Sequence, residues 1–303
     1  MSSEYQIILF YKYVHIEDPK KLMQEQKVLQ ERLGLLGRTL IATEGINATI
    51  EGKTENIEEY LNLFLSDPRF STTHIKRSPG NGTAFPKCMV KVRNEIVSLG
   101  LGACDIDPNK TTGKRLLPKE LHQWLENKKE FYIVDMRNAY EHAFGHFENS
   151  ILPEMDNFRD LPKFLKSLEH LKNKTVLTVC TGGVRCEKAS GFLLQNGFTN
   201  VYQLDGGIVS YMEKYPNENF LGKLYVFDSR IAMGFFTDDP KHKVVGKCVV
   251  CSKPCERLTN CSLNFCHRQL LACEECEKNE GKNFLCKQGC KENTRAKQLT
   301  INE

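Results

Sequence analysis

The spacing of apolar positions changes repeatedly along the first third of the chain, and each change marks an element. Residues 5–14, YQIILFYKYV, are rich in β-branched and aromatic side chains and predict a strand. DPKKLMQEQKVLQERLGLLG then has helical spacing, with Asp18 placed to cap it, Pro19 at the first helical position and Gly34 or Gly37 to end it. GRTLIATEGINATIEG reads as a hairpin turning at Thr43-Glu44-Gly45, and NIEEYLNLFLSDPRF as an amphipathic helix stopped by Asp67-Pro68. A further β-like pair, THIKRS and CMVKVRNEIVSLG, flanks the turn-prone PGNGTAFPK. The order βαββαβ predicts a ferredoxin-like α+β domain over residues 1–107, a fold that by itself names no function.

DPNKTTG reads as a linker, and beyond it the period alternates. PKELHQWLENKK, DLPKFLKSLEHL, RCEKASGFLLQNGF and GIVSYMEKY have helical spacing; FYIVDMR, KTVLTVC and VYQLDG are short buried strands; a polar stretch runs to Ser150. Short apolar strands separated by helices predict a parallel sheet covered on both faces, a second domain over residues 108–240. The chemistry of such a sheet lies beyond the carboxyl ends of its strands, and Cys180 stands at one of them.

After Cys180 come Thr181, Gly182, Gly183, Val184 and Arg185, with a helix from about Cys186. Glycines let so short a loop curl with its N–H groups converging, and the helix start adds positive potential. That nest favours a thiolate at Cys180, and Arg185 adds to it. Cys186, at the start of the helix, is expected to point away or pack. The spacing alone also admits a phosphate cradle or a plain glycine turn.

Composition adds two facts. Nine of the thirteen cysteines fall between Cys248 and Cys290. In a reducing compartment a structural metal is favoured over disulfides or unliganded thiols, with the Cys-x2-Cys pairs 248/251 and 273/276 each able to grip one side of a tetrahedral zinc. Cys255, Cys261, Cys266, His267, Cys286 and Cys290 offer a second set. The same segment, residues 241–303, holds twelve Lys or Arg against seven Glu, so Lys241, Lys243, Lys247, Arg257 and Arg268 are candidate RNA-phosphate contacts beside the reading of a solvated tail. No apolar run approaches the ~20 residues of a membrane span, and MSSEYQIILFYKY lacks the cationic start of a signal peptide, which points to the cytoplasm. His15, His74, His122, His170 and His242 suggest no partner.

Cys-x4-Arg after a strand, with VDMRNAYEHAFGHFENSI upstream and QLDGGIVSY downstream, resembles the rhodanese (sulfurtransferase) domain. Asp135, Arg137, Glu141, Gly145 and His146 stand for its Asp-x-Arg-x3-Glu-x3-Gly-His pattern, Gly206 and Gly207 for its later glycine pair, and Tyr211 for a frequent Trp. The acidic and basic residues upstream are expected to be scaffold. GRTLIATEGINATIEG, FPKCMVKVRNEIVSLG, CTGGVRCEKA and the Cys-rich tail together resemble, over nearly the whole chain, the rhodanese-like tRNA uridine hydroxylases. Together these readings give an α/β multidomain protein: a ferredoxin-like domain, a rhodanese-type parallel α/β domain and a small Cys-rich module over 241–303, for which the cysteine spacing suggests zinc. The resemblance implies Cys180 as the catalytic cysteine, with Arg185 of the same loop as its catalytic partner from the loop reading above, the tRNA anticodon arm as partner, and molecular oxygen as co-substrate in forming 5-hydroxyuridine at the wobble position. No flavin or haem signature accompanies it. Two other readings stand beside this one: a sulfur carrier that takes sulfane sulfur from a donor as a Cys180 persulfide, and an RNA-binding scaffold with a relict thiol loop.

Overall fold

The computed structural model describes residues 4–280 apart from 231, 236, 264, 265, 267 and 268. Its first unit contains β1 (Tyr5–Tyr13), α1 (Pro19–Arg32), β2 (Leu36–Ala42), β3 (Gly45–Lys53), α2 (Thr54–Ser66), β4 (Lys76–Gly80) and β5 (Cys88–Val92). The strands lie in the order β4-β1-β3-β2-β5, with β5 parallel to β2 and every other pairing antiparallel. The Asp18 carboxylate caps α1 by accepting from the Lys20 and Lys21 N–H groups at 3.0 and 2.9 Å. Ile8, Phe10, Ile46 and Ile50 face the helices and pack on Ile57, Tyr60 and Phe64. Each such side chain contributes roughly 1.5–3 kcal/mol of burial. Alternation along β1 sends Leu9, Tyr11 and Tyr13 to the other face, which carries no helix of this unit.

The two β-like runs after α2 do not pair with one another: β4 joins β1 and β5 joins β2, at opposite edges of the sheet. The loop between them is fixed by the buried Glu51 carboxylate, which accepts from the N–H groups of Asn81, Gly82 and Ala84. Beyond Val92 the chain leaves the sheet. Leu99 and Ile106 pack in the same core as Val134 and Val176 of the second unit, and the segment that resembled a linker is tied down, Gly113 N–H donating to Ser190 Oγ at 2.8 Å.

The second unit contains β6 (Lys114–Leu116), α3 (Pro118–Glu126), β7 (Tyr132–Asp135), α4 (Ala139–His142), β8 (Gly145–Phe147), α5 (Leu161–Leu168), β9 (Thr175–Val179), α6 (Val184–Gln195), β10 (Asn200–Leu204) and α7 (Gly207–Lys214). Its sheet, β6-β10-β9-β7, is parallel throughout. Residues of α5 and α6 pack on one face and residues of α3 and α7 on the other. The stretch read as merely polar holds α4 and β8. Next to it a buried ion pair fixes the strand end: Arg137 pairs with Asp135 at 2.6 Å and donates to the Gly145 carbonyl at 2.6 Å.

The chain continues through β11 (Phe220–Gly222), which pairs with β8, then β12 (Leu224–Tyr225), β13 (Ala232–Met233), β14 (Leu258–Asn260), β15 (Gln269–Leu271) and α8 (Glu274–Glu280). Cys248, Cys255, Cys261, Leu271 and Cys276 form its small core with Phe144. Among the described residues no helix is long and apolar enough to cross a membrane.

Candidate active site

Strand β9 ends at Val179, α6 begins at Val184, and the turn between them points its amides at one sulfur. Gly183 N–H donates to Cys180 Sγ at 3.2 Å. Gly183 makes that turn in the left-handed region, φ 102°, and a Cβ there would stand 2.9 Å from the Tyr11 hydroxyl. The glycine pair at 206–207 backs the loop. A Cβ on Gly207 would lie 2.7 Å from the Cys180 carbonyl, whereas its absence lets the Ile208 and Val209 N–H groups bond the Cys180 and Thr181 carbonyls.

Cys180 is fully buried. Burial raises a thiol, but the Cys186 thiol, the Arg185 charge and the N–H groups of Cys186 and Gly183 outweigh it and bring Cys180 down to about 6. Cys186 is buried as expected, yet it does not turn away. Burial and the adjacent Cys180 hold its thiol well above the ordinary range, so it keeps its proton and donates it to the Cys180 sulfur. Cys186→Ala should therefore move the midpoint of Cys180 alkylation upward by about one pH unit, as read from rate against pH; an unmoved midpoint would remove Cys186 from this role. Arg185 is held in turn by Glu141, with bonds of 2.6 and 2.8 Å to the two carboxylate oxygens, and its NH2 donates to Thr181 Oγ1 at 3.3 Å.

The open face of the first sheet covers this loop. Tyr13 OH donates to the Val184 carbonyl at 3.2 Å, Tyr11 OH to Glu187 at 3.1 Å, and Lys76 Nζ to the Gly182 carbonyl at 2.5 Å. Glu187 also holds Arg115, Thr112 and Gln203. Beside them the fully buried Lys188 ammonium meets Glu44 at 2.8 Å, Glu95 at 2.7 Å and Asp105 at 2.6 Å. Three stretches far apart in sequence, ATEG, RNEI and RCEK, are thus joined at one cation. Sequence reasoning passed over all of these contacts. The available signal was β1 itself, apolar on both faces, as a strand covered on both sides must be.

Between sheet and loop lies a cleft of about 490 Å³. The thiol-loop residues Cys180, Thr181, Gly182, Val184 and Arg185 line one side, and Leu9, Tyr11, Arg38, Asn47 and Arg93 are among those facing them. Since no solvent reaches Cys180 itself, a reacting atom gains the sulfur only when the side chains packed on the loop yield.

The remaining candidates lie elsewhere. The sulfur atoms of Cys248, Cys251, Cys273 and Cys276 all fall within 4.8 Å of one another, Cys251 and Cys273 being 3.7 Å apart. Cys255, Cys261 and Cys266 fall outside that group of four. His267, Cys286 and Cys290, the other members of the second set, lie outside the described residues, as does Arg268. Lys241 and Lys243 are exposed, Lys247 lines a second cleft with Tyr140 and His142, and Arg257 pairs with Glu277; none of the four lines the thiol cleft. His242 has a partner after all, Glu256 at 2.8 Å, and His122 stacks on Tyr215 at 3.8 Å between ring centroids.

Residues 5–96 match the UPF0176 acylphosphatase like domain, residues 117–214 the Rhodanese-like domain, and residues 221–291 the Rhodanase C-terminal family. A protein of Cytophaga hutchinsonii named tRNA uridine(34) hydroxylase is 43% identical over 289 residues, 95% of this chain and 90% of the relative. Relatives of the same name from Bacillus velezensis and Enterococcus faecalis are 40% and 42% identical, covering 97% and 90% of this chain and 91% and 86% of their own lengths.

Proposed function

The chain belongs to the tRNA uridine(34) hydroxylase family, and from that membership we propose that it hydroxylates the wobble uridine of tRNA with Cys180 as its nucleophile. The observation that carries the role of Cys180 is its sulfur, accepting the Gly183 N–H at 3.2 Å, set with Arg185 in the wall of a cleft large enough for a nucleotide, an arrangement that lowers its pKa. The thiolate adds to C6 of the uracil ring, and the π pair of the C5–C6 bond shifts onto C5 and the O4 carbonyl. C5 becomes the atom that takes oxygen. Loss of the C5 hydrogen as a proton then expels the thiolate and restores the ring. With molecular oxygen as co-substrate, one oxygen atom ends on C5 and the other as water, so each turnover consumes two electrons from an external reductant. An anticodon-loop base is already unpaired, which keeps the cost of presenting it small. Arg185, fixed by Glu141, keeps the sulfur ionised until attack. Nucleoside mass spectrometry of tRNA from cells lacking the chain should show 5-hydroxyuridine gone from position 34; an unchanged level would contradict the assignment.

The same nest suits a persulfide anion, the sulfur-carrier reading. Thiosulfate and cyanide should yield little thiocyanate; fast turnover together with intact wobble hydroxylation in the deletion strain would favour that reading instead.

Cys248, Cys251, Cys273 and Cys276 suit a structural zinc. Sulfur atoms about 3.8 Å apart are what a tetrahedron with Zn–S near 2.3 Å requires, and the observed 3.7 Å edge matches it. Four thiolates leave no open position, so the ion supplies stability to a small core and no catalysis. Elemental analysis should find a zinc equivalent that is lost in Cys251→Ser and Cys273→Ser; retention of all bound metal in both variants would rule out this site.

A further inference from the structure

Of the eleven arginines among the described residues, eight form ion pairs with Asp or Glu, from the exposed Arg32–Glu59 to the buried Arg137–Asp135. The other three are Arg38, Arg93 and Arg159, and all three line the thiol cleft. We propose that these three arginines form a phosphodiester clamp that holds the backbone of the anticodon loop while its base reaches Cys180. The clamp rests on the tRNA reading above and adds to it the residues that bind.

The argument is one of uncompensated charge. Arg38 projects from β2, and Arg93 follows β5, the strand alongside, with its N–H bonded to the Ile41 carbonyl. Arg159 comes from the second unit, next to Phe158, so the three guanidinium groups are supplied from both sides of the cleft. The acidic and basic groups that share the cleft are already spent: Glu95 on Lys188 and on the Leu99 and Gly100 N–H groups, Arg185 on Glu141. Partial burial and the neighbouring Arg93 both disfavour the charge on Arg38, as expected for cations without a counter-ion. A solvated surface arginine would give no reason for the unpaired ones to collect in one cleft. Guanidinium forks match phosphate oxygens two at a time, and three of them supplied from two units suit an extended polyanion better than a single small dianion. Lys241, Lys243, Lys247 and Arg257, among the described residues of the C-terminal segment, do not share this placement.

The test uses the full-length protein and an anticodon stem-loop RNA with uridine at position 34. Arg38→Gln, Arg93→Gln and Arg159→Gln should each weaken binding roughly threefold to tenfold, and the triple variant should flatten the slope of log affinity against log salt by about 2, at ~0.7 for each single-strand phosphate contact. Arg→Lys at all three sites should retain most of the slope, and the pH midpoint of Cys180 alkylation should stay in place, which excludes misfolding. An unchanged slope in the triple glutamine variant would overturn the clamp while leaving the tRNA reading intact. Wild-type protein that fails to bind the stem-loop at all would overturn both. Loss of thiosulfate binding in the triple variant, with RNA binding unaltered, would assign the arginines to a small anion and also overturn the clamp.

Discussion

Cys180→Ala should reduce wobble-uridine hydroxylation by at least about a thousandfold, because the reaction begins with a bond to that sulfur and no neighbouring group can replace it. Cys186 is the obvious substitute, but it is protonated and turned toward Cys180. Cys180→Ser is the sharper variant. A serine preserves size and can still accept the Gly183 N–H, yet a hydroxyl does not ionise in a site that brings a thiol only to about 6. It should therefore be as inactive as alanine while binding the stem-loop normally. Hydroxylation of tRNA by the serine variant at a tenth or more of the normal rate would show that the sulfur is not the nucleophile.

Lys188→Met should lower stability by roughly 2–4 kcal/mol, less than for a wholly buried pair because the three carboxylates keep some contact with water. The ammonium is fully buried, and its loss leaves Glu44, Glu95 and Asp105 facing one another at the seam between the two units. In the natural protein burial already pushes the Glu44 and Asp105 carboxyls up, with Lys188 pulling against it. Without the cation they rise further. A carboxyl raised in the folded state favours folding while it is protonated and opposes it as pH climbs through its folded value. The deficit should accordingly be small near pH ~4 and complete by about pH 7, in proportion to the carboxylates ionised. Thermal unfolding of variant and parent across that range measures it. A deficit that does not change with pH would mean that Lys188 acts through packing alone.

Elements with a strong period were legible without a structure. The cap at Asp18, the hairpin through Thr43 and the buried strand before Cys180 all announce themselves locally. Pairing between distant segments does not, so β4 and β5 were seen as strands but not placed on opposite edges. The stretch with α4 and β8 was opaque for another reason: beside Phe144 and Phe147 it buries Asp135, Arg137 and Glu141, charged residues whose burial depends on partners that no hydrophobic pattern encodes. The turn that carries Cys180 and Arg185 was readable from glycine spacing, because it is local. Tyr11, Tyr13, Lys76, Arg38 and Arg93 come from the first unit and meet the loop only through docking of one unit on the other, while Arg159 reaches the cleft from a distant part of the loop's own unit. The basic tail drew attention to charge by its density, whereas the uncompensated charge of the cleft is set by which arginines lack a carboxylate.

The most direct measurement is the alkylation rate of Cys180 as a function of pH, followed by mass spectrometry of the modified residue. Because the sulfur is shielded, the absolute rate will be slow, and the informative quantity is the midpoint. An anion held by the Gly183 and Cys186 amides, the Cys186 thiol and Arg185 gives a midpoint near 6 and a plateau above it. A rate that climbs only through the range of an ordinary cysteine, about 8.5, would contradict the account at its base.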